Sequence, residues 1–156
     1  MAPGVPEFEK LHPRFSLVRD YLARIAPTGK LPGRQHFDPV AVGPRIIPFI
    51  NLVEVIRGEP ELRFRFRLVG SRQSEAAGRE ITGKFVEEAV LPEFVDRIKS
   101  NMHAIVRSKA PVYDAFQMPH PKRDFIRTER IYFPLASDGE LVDMILIVNG
   151  YPDLRE

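Results

Sequence analysis

At 156 residues, 44% hydrophobic and 28% charged, the chain has the make-up of one globular domain large enough to close its own core. It has no cysteine, which excludes disulfides, thiolate metal sites and cysteine nucleophiles, and no apolar run near the roughly 18 residues of a membrane span. The formal charge of +2 is small beside a pI of about 9.0, so basicity gives little reason to expect nucleic acid.

Residues 1–13 are proline-rich and aperiodic and read as a loose arm. They hold neither a basic cluster nor an apolar stretch, so no secretory signal is read and a cytoplasmic location is expected. In residues 14–25 Leu17, Val18, Tyr21, Leu22 and Ile25 recur at helical spacing, predicting an amphipathic helix. Pro27, Gly29, Pro32 and Gly33 end it. The chain therefore divides into an arm with its helix, 1–30, and a main domain, 31–156. Asp38-Pro39 opens a brief helix that Gly43 and Pro44 stop.

A strand is expected at 50–57, a turn at 58–61, and a second strand at 62–68. In the second, Leu62, Phe64, Phe66 and Leu68 face one way and Arg63, Arg65 and Arg67 the other. Residues 70–84 are broken by Gly70, Gly78 and Gly83 and fit one or two helical turns. The strongest helix is 92–108, with Phe94, Val95, Ile98, Met102, Ile105 and Val106 on one face and Glu93 and Asp96 near its positive end. Three strands follow at 112–118, 125–135 and 141–151. The last two are expected to join through a tight turn at Asp138-Gly139. Only Asp143 interrupts the apolar run from Leu141 to Val148, so that strand should be central and covered on both faces. The fold class is α+β: a five-stranded antiparallel sheet with its helices collected between strands two and three.

That order resembles a PAS domain. Three pieces carry the likeness: Leu31-Pro32-Gly33-Arg34 with Phe37-Asp38-Pro39; Phe64-Arg65-Phe66-Arg67-Leu68-Val69-Gly70; and Phe133-Pro134-Leu135 with Asp138-Gly139 and Val142-Asp143-Met144-Ile145-Leu146. The helical segment ending Glu80-Ile81-Thr82-Gly83-Lys84 is similar to the PAS helical entry. More narrowly, the chain is similar to small single-domain PAS-like proteins common in alphaproteobacteria. The resemblance implies a sensory or regulatory module that binds a small molecule, a protein or both, with the last strand central and the second at an edge. The N-terminal helix either folds back on its own sheet or packs against a second copy, as PAS N-terminal helices often do; a homodimer with Leu17, Val18, Tyr21, Leu22 and Ile25 at the interface is expected, with output through an unidentified signalling partner.

The implied pocket lies between the sheet and the intervening helices. Its candidate walls are Phe66, Phe85, Phe94, Ile98, Met102, Tyr113 and Met144, with Arg72, Arg79 and Tyr113 as polar selectors; the same residues would fill a closed core equally well. The cofactor is unknown. Cysteine-dependent flavin photochemistry is excluded by composition, and haem is disfavoured because His103 falls on the flank of its helix. His12, His36 and His120 are scattered, no metal-binding pair or nucleophile elbow is present, and no catalysis is expected. The arginine stripe is read as a solvated edge whose charge Glu54, Glu59 and Glu61 can take up, rather than as a nucleic-acid track. The alternative is a small enzyme or carrier on a conical α+β sheet, as in ketosteroid-isomerase-like proteins. It needs a buried acid, for which Asp114 and Asp143 are the candidates.

Overall fold

In the computed structural model residues 7–120 and 122–153 are described. Residues 1–6 of the arm expected to be loose lie outside them, and within the rest Phe8–Lys10 forms a short 3-10 turn. Helix α1, Pro13–Ile25, follows, with His12 Nδ1 accepting from the Arg14 N–H and Pro13 in the first turn. The brief helix α2 is Pro39–Val42, capped by the Asp38 side chain. Strands β1, Ile50–Ile56, and β2, Arg63–Val69, form the first hairpin. Then come α3, Ser71–Ala77, α4, Val86–Ala89, and α5, Pro92–Ser108. Strands β3, Val112–His120, β4, Arg123–Leu135, and β5, Met144–Gly150, complete the chain.

All pairings are antiparallel and the order is β2-β1-β5-β4-β3, so β5 lies at the centre and β2 at an edge. Ile145 to Val148 are fully buried, as a strand covered on both faces requires. The fold is α+β and follows the expected order. Among the described residues no helix is long and apolar enough to cross a membrane.

Both faces of the sheet are covered, and period-two alternation divides the strands between them. Val53, Val55, Phe64, Phe66, Tyr132, Ile145 and Ile147 pack with α4 and α5 through Val86, Ile98, Met102 and Ile105. Leu52, Ile131, Phe133, Leu135, Leu146 and Val148 pack under α1 and the chain after it, through Phe15, Val18, Tyr21, Leu22, Phe37 and Val42. Of the two packings open to helix α1, the described chain shows the one on its own sheet. Val18, Tyr21 and Leu22 are buried against their own sheet, because its outer face is otherwise an open apolar layer. Leu17 is 47% exposed and Ile25 is half-buried.

The last hairpin also differs from the reading of its sequence. Strand β5 begins at Met144, and residues 136–143 form a wide loop instead of a tight turn. Two aspartates hold it open. Asp138 Oδ1 accepts from the Glu140 and Leu141 N–H groups at 2.8 Å, and the Asp143 carboxylate accepts from the Ser137 N–H and hydroxyl. Such side-chain acceptors compete with the ladder for backbone donors. Helix α4 and the 3-10 turns at Arg34–His36 and Ile47–Phe49 had no clear signal in the sequence.

Candidate functional site

On the face toward α3–α5 the packing is incomplete. A cavity of about 370 Å³ opens between the sheet and those helices. Its walls come from Phe66 on β2, Phe116 and Met118 on β3, Phe94 and Ile98 on α5, and Gln73, Ala76 and Ala77 on α3. The linker residues Arg79 and Ile81, with His120 and Arg130 from the sheet, complete it. The size lies within the range of small-molecule sites, and the lining has their usual character, apolar with a few polar groups.

Local sequence explains why α3 stands off here. Gly70 starts the helix where a Cβ would lie 2.3 Å from the Pro48 carbonyl oxygen, so only glycine allows that junction, and its N–H donates to Asn51 Oδ1 at 3.1 Å. Gly78, at φ +72°, ends the helix in the left-handed conformation after two turns. Small residues Ala76 and Ala77 face the space that larger ones would fill.

Gln73 makes one end of the site polar, and further polar groups lie behind the lining there. Tyr151 donates its hydroxyl to Gln73 Oε1, and Asn149 Nδ2 donates to the Phe49 carbonyl at 3.2 Å. Burial pushes the Tyr151 phenol up to about 12, against the opposing pull of the Arg130 and Arg14 charges. Along β4 three successive inward positions, Thr128, Arg130 and Tyr132, are buried, and Thr128 Oγ1, Arg130 Nε and the Tyr132 hydroxyl have no hydrogen-bond partner. Buried polar atoms are rarely left so.

Of the residues expected in a pocket, Phe66, Phe94, Ile98 and Arg79 line this one. Arg79 Nη2 donates to the Glu88 and Ala89 carbonyls, which ties the linker to α4. The other five lie elsewhere. Phe85 sits beyond the β2 edge, where residues 83–85 pair with that strand, and its ring lies under Arg63 at 3.6 Å. Met102 is in the closed part of the core. Tyr113 and Met144 face the α1 side, with the Tyr113 hydroxyl on Glu129 at 3.2 Å. Arg72 bonds Glu75 and lies over Phe49. Gln73, Phe116, Met118 and Arg130 also line the cavity, and Tyr151 stands behind Gln73; none of these is among the residues expected from the sequence. Arg130 had a readable signal: Ile131, Phe133 and Leu135 take one face of a doubly covered strand, which turns Arg130 inward to the other.

The two carboxylates that the enzyme alternative needs are both engaged. Asp114 takes Arg97 Nε at 2.7 Å, Arg97 Nη2 at 2.6 Å and Asn101 Nδ2 at 2.8 Å. Burial pushes its carboxyl up, but those donors outweigh it and hold the group below the usual range. That is the reverse of a general base poised near neutrality. Asp143 closes the 136–143 loop. His103 sits edge-on to Phe64 with ring centroids 5.1 Å apart and does not line the cavity. Glu54 takes up much of the arginine stripe, pairing Arg65 at 2.8 Å and Arg67 at 3.7 Å. No group of three or more metal-ligating side chains occurs among the described residues.

Comparison with known proteins places this architecture. A family model described as PAS domain matches residues 11–148. A PAS domain from Colwellia psychrerythraea superposes with a TM-score of 0.50 at 15% identity, covering 73% of this chain and 97% of that one. A Rhodobacter sphaeroides LOV protein gives 0.50 at 9% identity, covering 88% of this chain and 67% of its own. VqmA bound to DPO gives 0.53 at 12% identity, covering 67% of this chain and 53% of that one. At these identities the likeness is one of fold. No curated protein sequence matches.

Proposed function

The chain belongs to the PAS domain family, and we propose that it works as a sensory module whose input is a small molecule held in the cavity beneath α3. The observation that carries this reading is the cavity itself. About 370 Å³ is left unfilled beside an otherwise close-packed core, with a ring of apolar side chains and a polar end. The α3 helix and the linker after it form the cover. Contents that pull on Gln73 or Arg79 would therefore move the elements packed on the β2 edge. The proposed output is a changed contact with a protein partner, a second copy of this chain included. No chemical step is assigned, since the ionisable groups best placed for one are committed to structural bonds.

Native mass spectrometry of the purified protein tests this. A small mass that stays on the folded chain, leaves on denaturation and is absent from Ala77→Phe, which fills the cavity, is the expected result. A bare-chain mass, with no thermal shift from any of a broad set of small organic compounds, overturns it.

A further inference from the structure

Resting on that reading of the cavity, we propose that its ligand is a monoanion, a carboxylate on an apolar body, and that Arg130 selects it. The Arg130 side chain is 3% exposed and lines the cavity, with its guanidinium 5.1 Å from the Phe116 ring centroid. Its Nε has no partner, and among the described residues no carboxylate oxygen lies within 4.0 Å of its nitrogens. In the ladders Arg130 stands between Asp114 of β3 and Asn149 of β5. Asp114 is the nearest acid by register, but it gives both oxygens to Arg97 and one of them also to Asn101. Arg97 thus neutralises it, and the set Arg97, Asp114 and Arg130 keeps one positive charge at the cavity wall.

Nothing else in the wall offsets that charge. The remaining ionisable lining groups are Arg79 and His120, and none of the lining residues is acidic. A buried cation without an anion is an arrangement that packing does not call for. A single carboxylate would complete it, because its two oxygens match the guanidinium fork and also leave lone pairs for nearby donors. The unpartnered hydroxyls of Thr128 and Tyr132, two residues to either side on the same face of β4, lie in the same inward row. Arg79 is exposed to water and donates to the Glu88 and Ala89 carbonyls, so Arg130 is the buried cation of this wall; a dianion would bring more charge than it balances, and a cation would meet only like charge. Phe66, Phe94, Ile98 and Phe116 supply the apolar walls for the body of the ligand.

Three probes of nearly one shape separate charge from bulk: phenylacetate, phenylacetamide and phenethylamine, titrated calorimetrically into the full chain after exhaustive dialysis. The expected result is phenylacetate binding about tenfold or more tighter than the amide, with the amine weakest. In Arg130→Met that preference should vanish while the amide binds as before, and Arg130→Lys should restore part of it. Equal binding of phenylacetate and its amide by the wild-type chain overturns the inference and leaves the cavity reading intact; so does a preference that survives in Arg130→Met. Failure of all three to bind at millimolar concentration overturns the inference and counts against the cavity reading too.

Discussion

The two faces of the sheet are built from the same strands, yet they answer different demands. Under α1 the packing is closed: Phe15, Val18, Ile131, Leu135, Leu146 and Val148 have no exposure. Under α3 the neighbouring residues of the same strands surround open space, and β4 contributes Thr128, Arg130 and Tyr132 with unsatisfied atoms. One residue along β4 moves from an interior of Ile131 and Phe133 to one holding a buried arginine. The first face is close-packed, and the second carries the open space and the unsatisfied polar atoms that the proposed site uses.

The largest effect should therefore come from the closed face. Phe15→Ala removes a fully buried ring that the surrounding helix and strands cannot replace, and is expected to lower unfolding free energy by about 3–5 kcal/mol in urea titration. A loss below about 1 kcal/mol would show that α1 is only loosely attached and erase the contrast.

The polar end of the other face should reveal itself at high pH. The Tyr151 phenol is raised above its unfolded value of about 10 to about 12, so its contribution is complete below pH 10 and is lost as pH rises toward 12. That change is worth roughly 2–3 kcal/mol, and it should disappear in Tyr151→Phe. Stability that does not fall over this window in the wild-type chain would place the phenol in water.

A smaller effect is expected at the rim of the cavity face. Asp114→Ala leaves Asn101 buried without its acceptor but frees Arg97, half of which already meets water, so about 1–3 kcal/mol should be lost. The Asp114 carboxyl is held low, so its contribution is present above the unfolded value and disappears as pH falls below about 4. Acid stability equal in wild type and Asp114→Ala would contradict the bonding described.

Much of the fold was legible because its signals are local and periodic. Residues 92–108 carry an unbroken helical stripe and form α5 over that range. The alternation of Phe64 and Phe66 with arginines placed β2 at an edge, and the apolar run at Ile145–Val148 placed β5 at the centre. The start of β5 was not legible, since Leu141 and Val142 look like strand until Asp138 and Asp143 capture backbone and side-chain donors of the loop. The attachment of α1 to its own sheet was open in the sequence, because an apolar helix face fits either its own sheet or that of a second copy. Large apolar residues are the natural candidates for cavity walls, yet Met102 and Met144 serve closed packing. The cavity instead owes its existence to small residues, Gly70, Ala76 and Ala77, whose role depends on what they leave unfilled. For Arg130 the signal is the parity of Ile131, Phe133 and Leu135, which leaves it on the opposite, inward face.

The decisive comparison is the stability of Arg130→Met against the wild-type chain, both without added ligand, by urea unfolding at neutral pH. If Arg130 is kept for a ligand, removing its buried charge while preserving its length should leave the chain as stable or up to a few kcal/mol more stable. A loss of about 2 kcal/mol or more would make Arg130 part of the scaffold and contradict the division between the two faces.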